Sequence, residues 1–459
     1  MSGKTILPLL LPPPLPPPLP LKRPEPLELT VSLASGMEHV GQAEWDLCAT
    51  AGSELNPFVL HSFLHALESS GSAVRDEGWL PQHVLVRGGS TGELLGCCPM
   101  YLKGHSYGEY VFDQSWADAY HRMFRKPYYP KLLVGVPFTP VPGPRLLVKP
   151  GPHGAAVRRA LADSLKQVAD QFGVSSLHIN FTTEAEFEAL GAEHGYLQRT
   201  GIQYHWYNGD VSRSMLASSS STDDDEAAAT AAAAASIKYS SFDDGDGSFL
   251  AALRQSKRKS IRQARAKEGC PGGAALPATD WEDIRQQHWD AFYKFYRNTT
   301  DRKWGSAYLT RAFFSELGFS ELGERMADRV LLVLAETADG APGHGRPVAG
   351  ALNLIGSHAL FGRNWGCIYG DRVPNLHFEL CYYQALEFAI ERGLQRVEAG
   401  AQGEHKLQRG YLPSPTYSLH YLPSRGFSGC GRQVFAAGAG RDCFALDMLR
   451  QEASPYKQP

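Results

Sequence analysis

The densest run of chemically useful side chains in this 459-residue chain is Glu398-Ala-Gly-Ala-Gln-Gly-Glu404-His405-Lys406-Leu-Gln-Arg409-Gly-Tyr411. It holds carboxylates, an imidazole, two cations and a phenol, and its glycines let a ligand approach the backbone closely. Glu404 or His405 could take a proton from a nucleophile, while Lys406 or Arg409 could steady a developing oxyanion. Glu398 and Tyr411 would bind substrate beside them. A solvent-facing loop can have the same composition, so the reading needs a fold that aims these groups inward.

A second group precedes and opens a predicted helix: Arg363, Trp365, Asp371 and His377. Backbone N–H groups at a helix start can hold an anion or a polarised carbonyl. Glu379 is expected only to complement the helix dipole, and Cys381 to lie in the core. A third feature is the basic run 253–267, whose seven cations include Lys257, Arg258, Lys259 and Arg262 and meet no acid before Glu268. It suits phosphates or RNA, although charge runs are commonly solvated faces and no aromatic here interleaves to stack bases. The fourth is an aromatic, proline-stiffened stretch, 106–146, in which Tyr129 and Lys131 could serve a small-molecule pocket unless the rings are core.

These groups need elements to position them. In the first half, 82–87 and 93–103 read as strands joined by a Gly/Ser/Thr turn, followed by an amphipathic helix ending at Gly173 and a buried strand, 176–181. In the second half, 329–336 and 347–355 read as a hairpin, followed by a strand at 358–364, a helix at 376–392 capped by Gly393, and a short strand at 396–399. Phe378, Cys381, Tyr382, Ala385, Phe388 and Ala389 form the apolar face of that helix. The order hairpin, strand, helix, strand occurs twice, which predicts an α+β fold of two similar domains, 30–211 and 247–450. Between them, 212–246 is Ala/Ser/Asp-rich and reads as a solvated insertion, and 451–459 as a tail.

A formal charge of −3 and 20% charged residues describe an ordinary globular chain and give no reason for whole-surface nucleic-acid binding. Eight cysteines without CxxC spacing predict reduced thiols and no metal site. There is no GxxxxGK[ST], GxGxxG or HExxH, and Gly88-Gly-Ser90-Thr-Gly92 joins two predicted strands rather than a strand to a helix, so it is no GxSxG elbow; together these weaken the NTPase, dinucleotide, hydrolase-elbow and zincin readings. Residues 1–29 are proline-rich, unable to form a spanning helix or signal core, and disposed to polyproline II. The tail carries no acid before Glu25 but is poor in Arg and Ser. The expected compartment is therefore cytoplasmic, or a plastid or mitochondrion if the tail is a transit peptide.

Several stretches together resemble the FemAB-like branch of the GNAT acyltransferase superfamily, whose members are labelled peptidoglycan biosynthesis or recognition proteins. They include SYGEYVFDQSWADAY, YYPKLLVGVPFTPVPGPRLL, GALNLIGSHALFGRNWG and LHFELCYYQALEFAIERGLQRVEAGAQGEHKLQRGYLP, and the likeness runs from about residue 35 to 450. The resemblance implies tandem GNAT-like domains and transfer of an acyl group to an amine, from acyl-CoA as co-substrate or from an aminoacyl-tRNA, with no tightly bound cofactor. The Fem-type F-K-x-x-F-G lysine falls here at Lys406, or at Gln408 in a strict alignment, and the GNAT pyrophosphate loop [RQ]xxGx[GA] is not found before Leu376. A non-catalytic recognition protein that keeps the fold is the alternative reading.

Overall fold

Strands rich in Val, Leu and Ile build the scaffold. The computed structural model describes residues 28–52, 54–209, 238–243, 245–268, 284–303, 307–319, 326, 328–337, 345–368, 374–400, 403–423 and 455–456. Most of the proline-rich tail, 210–237 of the insertion, Asp371 and most of 451–459 lie outside them.

The first half contributes β1 (Leu29–Ala34), β2 (Trp79–Pro81), β3 (His83–Gly88), β4 (Leu94–Cys98), β5 (Met100–Lys103), β6 (Lys131–Val134), β7 (Leu147–Val148), β8 (Leu177–Thr182) and β9 (Leu197–Tyr207). Its helices are α1 (Gln42–Ala49), α2 (His61–Ser69), α3 (Gln114–Phe124), α4 (Gly154–Phe172) and α5 (Glu184–His194). The single strand predicted over 93–103 is two, because Pro99 cannot donate to a ladder. β4 then joins the four-stranded sheet β1-β3-β4-β7, while β5 joins the larger sheet. Helix α4 ends at Gly173 in the left-handed region. Its buried Val157, Leu161, Leu165 and Val168 pack on Val84, Val86, Leu132 and Ile179. Each such burial contributes roughly 1.5–3 kcal/mol, so packing rather than propensity holds the helix.

The second half contributes α6 (Gln255–Glu268), α7 (Gln286–Lys303), α8 (Arg311–Phe319), β10 (Val330–Glu336), β11 (Pro347–Ile355), β12 (Ala359–Cys367), β13 (Arg396–Glu398) and β14 (Leu412–Tyr421). Between β12 and β13 runs helix α9: Leu376–Phe378, a π turn over Glu379–Tyr383, then Gln384–Glu391.

The large sheet has the order β10-β11-β12-β13-β9-β14-β8-β6-β5-β2. Each half supplies a parallel pair bridged by a helix, β6/β8 over α4 and β12/β13 over α9. Each half also gives its last strand to the other. β9 pairs with β13, and β14 lies between β9 and β8. The two similar halves share one sheet, in which ten strands run across both. The expected insertion is shorter than 212–246, because Tyr239 and Phe242 are buried against Phe249, Trp206 and Tyr383. A further cluster joins the halves, with Trp45, Phe58 and Phe63 packed with Phe292, Phe313 and Phe361. Cys97 and Cys98 are buried and free.

Candidate active site

β12 and β13 pair from Ala359↔Arg396 to Phe361↔Glu398 and then part, β12 running on to Cys367 while β13 stops. Past Phe361, no described strand pairs with β12 on its β13 side. The divergence opens a cavity of about 140 Å³ walled by Asn353, Gly362, Arg363, Asn364, Trp365, His377, Cys381, Tyr382 and Ala399. Two irregularities shape it. A bulge pairs Leu352 with Asn364 and Asn353 with Gly362, leaving Arg363 without an opposite residue. The π turn in α9 carries Cys381 and Tyr382, both of which reach the cavity wall.

An aromatic cluster continues from the cavity into the turn Glu404–Arg409. His377 meets Trp365 edge-on at 5.1 Å between ring centroids and Tyr382 at 5.6 Å. The Tyr382 hydroxyl is 3.0 Å from His405 Nε2, and the Tyr411 ring meets Tyr382 at 5.5 Å. Arg409 lies 3.4 Å over the Phe378 ring and donates to the His405 carbonyl at 2.8 Å. Gly403 (φ +117°) must be glycine, since a Cβ would overlap the His405 ring. Below the turn, Tyr456 donates to the Gly410 carbonyl at 2.7 Å.

His405 is an exposed residue, and the partial burial of its ring, then the Arg409 and Lys406 cations, hold the imidazole below its ordinary range. Burial raises the Tyr382 phenol, which therefore stays protonated. Lys406 is 1% exposed, donates to the Gly400 carbonyl at 2.7 Å, and is lowered by burial to about 8.

Trp365, His377, His405, Arg409 and Tyr411 thus come together, with Lys406 folded against the end of β13. The Glu404 side chain, like Asp371, lies outside the described residues. Other expectations are corrected. Glu398 is buried and accepts from Arg396 Nε at 2.8 Å, so its charge is spent on an ion pair. The Arg363 side chain leaves the cleft, because it shares the strand face of Phe361, two residues before it, and so lies against Phe58, Phe63 and Phe313 on the other side of the sheet. Lys131 is buried between Glu109 (2.7 Å) and Asp113, and Tyr129 donates to Asp113 at 2.9 Å, an internal ion cluster rather than a binding surface. The basic run is not without acids. Arg262 pairs with Asp243 at 2.7 Å, and Arg265 pairs with Glu379 and Glu387 at 2.7 and 2.6 Å. Lys259 is exposed, while Lys257 and Arg258 are half-buried.

Sequence reasoning missed Asn353, Asn364 and the role of Tyr382, which helical periodicity assigns to the core face. Glu379, expected only to complement the helix dipole, is buried under Arg265. In the first half, the place beyond the β6/β8 pair is filled by Arg145. It is 1% exposed and donates to the carbonyls of Asn180 (2.9 Å), Val141 (2.7 Å) and Gly143 (3.1 Å). Among the described residues no group of three or more His, Cys, Asp or Glu side chains could hold a metal. None of their helices is long and apolar enough to cross a membrane.

By sequence, residues 36–215 and 232–458 match the FemAB-like family, described as peptidoglycan biosynthesis/recognition. No curated protein matches the sequence. By structure the chain is similar to FemX, at 13% identity and a TM-score of 0.46, covering 87% of this chain and 98% of that one. It is similar to a tandem GNAT protein from the clavulanic acid biosynthesis pathway at 12% and 0.43, covering 86% and 99%. It is also similar to L-PGS from Bacillus licheniformis at 10% and 0.42, covering 85% and 99%.

Proposed function

The chain belongs to the FemAB-like family, its two halves GNAT-like and in tandem, and on that premise we propose that it is an N-acyltransferase. It moves an acyl or aminoacyl group from acyl-CoA, or from an aminoacyl-tRNA, to an amine. The observation that carries this reading is the cavity where β12 and β13 part, with the Tyr382–His405 hydrogen bond at its wall. Past Phe361, β12 meets no described strand on its β13 side, and backbone N–H groups on that edge would suit a carbonyl that becomes an oxyanion. A space of about 140 Å³ admits a small acyl group rather than a whole donor.

In this reading His405, neutral at pH 7, takes the proton from the attacking amine. The tetrahedral intermediate collapses, and Tyr382 gives its proton to the departing thiolate or alkoxide and recovers one from His405. Lys406 and Arg409 act by keeping the imidazole neutral rather than by touching the oxyanion.

The test is donor consumption by the full chain with acyl-CoA thioesters and aminoacyl-tRNAs against a panel of amines. Tyr382→Phe should lower kcat about 100-fold or more with little change in KM. The acid limb of kcat/KM should fall below the usual histidine range, because the depressed imidazole stays a base there. If no donor is consumed, or if both Y382F and His405→Gln keep full turnover, the reading fails.

A further inference from the structure

Arg363 belongs to both faces of the sheet. In sequence it stands in the cleft wall between Gly362 and Asn364, at the bulge. Its guanidinium lies on the other side, with Cζ 5.7, 4.9 and 5.6 Å from the ring centroids of Phe58, Phe63 and Phe313. Nη1 donates to Thr139 Oγ1 at 2.5 Å. Nε and Nη2 are buried and have no hydrogen-bond partner among the described residues.

The titratable groups that face this cation are the phenols of Tyr110, Tyr296 and Tyr308. Burial lowers the guanidinium to about 10, which leaves it charged at neutral pH. Holding a cation in such surroundings without an anion is strongly unfavourable, and cation–π contacts offset only part of that. The choice of orphaned atoms is informative. Nε and Nη2 form one edge of the guanidinium, with two parallel N–H donors whose spacing matches the two oxygens of a carboxylate.

We propose that this edge of Arg363 receives a carboxylate carried by the acceptor. The acceptor is then an amino acid or ω-amino acid whose amine reaches the cleft while its carboxylate sits on Arg363. The inference rests on the transfer reading above. It requires amine and carboxylate to lie no further apart than one arginine side chain, since Arg363 itself spans that distance. Phe58, Phe63 and Thr139 come from the first half, and Arg363 and Phe313 from the second. Tyr110 and Tyr308, one from each half, are joined hydroxyl to hydroxyl at 3.2 Å beside them. Acceptor recognition is therefore a task that neither half performs alone.

The test is the melting temperature of the full chain, without donor, in glycine, β-alanine, 4-aminobutyrate and 5-aminopentanoate. Their carboxamides and inorganic phosphate are the comparisons. At ten times its Kd, at least one amino acid should raise Tm by about 2 °C or more, and its amide should not. Arg363→Met should abolish that shift and, having lost an unpaired buried charge, should itself melt at or above the wild-type Tm. Should R363M fail to fold, Arg363→Lys, which keeps the charge but not the two-pronged edge, should remove most of the shift. The proposal is overturned if no amino acid shifts the wild type, if amides shift it equally, if phosphate shifts it more, or if the variant keeps the shift. Its failure is separable from that of the transfer reading. A carboxylate-dependent shift with no donor ever consumed would leave the site and remove the transferase. Turnover as fast with amines lacking a carboxylate would do the reverse.

Discussion

His178 and His420 face each other through Nδ1 atoms 2.6 Å apart, with Tyr128 and Ser176 on the Nε2 of His178 at 2.9 and 2.8 Å. One Nδ1 must donate and the other accept, so each ring is neutral, in opposite tautomers. Burial pushes His420 and His205 down to about 3 and His178 well below its ordinary value. The unfolded chain takes up protons near 6.5 where the folded one does not. The stability these histidines contribute is therefore present above about pH 6.5 and is lost as the pH falls from there toward 3. Each contributes up to about 1.4 kcal/mol per pH unit of that loss. Urea unfolding at pH 7, 6, 5 and 4 should show a steep decline, with His420→Gln shallower by about one proton. A midpoint unchanged from pH 7 to 5 would contradict this account. None of it was visible in the sequence, where His178 reads as part of the buried strand 176–181 and His420 falls in no predicted element.

Single elements were far more legible. The hairpin 329–336/347–355 and the helix 376–392 were found almost residue for residue, since a period of two or 3.6 is written locally in the apolar pattern. What escaped were departures from period: the π turn that carries Tyr382 to the cleft wall, and the bulge that sets Arg363 and Trp365, two residues apart, on opposite faces of the sheet. A local pattern also cannot show how close one element comes to another. Gly366 on β12 is such a case, because a Cβ there would overlap the backbone of Phe295 and Tyr296 on α7. Gly366→Ala should cost roughly 1–3 kcal/mol, read as a drop in Tm, by forcing strand and helix apart. Gly135→Ala, whose nearest neighbour is the Leu133 side chain at 3.7 Å, should change Tm little and serves as the control. Equal effects of the two would mean that the β12–α7 contact is not tight.

At the scale of the whole molecule, the exchange of β9 and β14 makes each half the template for the other's last strand. Residues 30–211 expressed alone would bare the β8 edge and leave β9 without both its neighbours, an invitation to aggregate. Each half by itself should be insoluble, co-expression should recover a complex, and the full chain should melt in one calorimetric transition. A half that melts cooperatively alone would show that the exchange is dispensable. Strand pairing over such distances leaves no mark in a local sequence pattern, which shows two similar halves but not the strands they exchange. The likeness of the halves also stops at the site, where Arg145 fills in the first what the second leaves open as a cleft. The exchange has a consequence in time as well. Phe181 and Ser418, neighbours across the β8–β14 seam, are 237 residues apart along the chain. Closing so long a loop is slow, and it must be done before either half is complete. During synthesis the first half therefore waits, its sheet one strand short, until the second has emerged, and the interval is set by translation speed rather than by the protein's own stability.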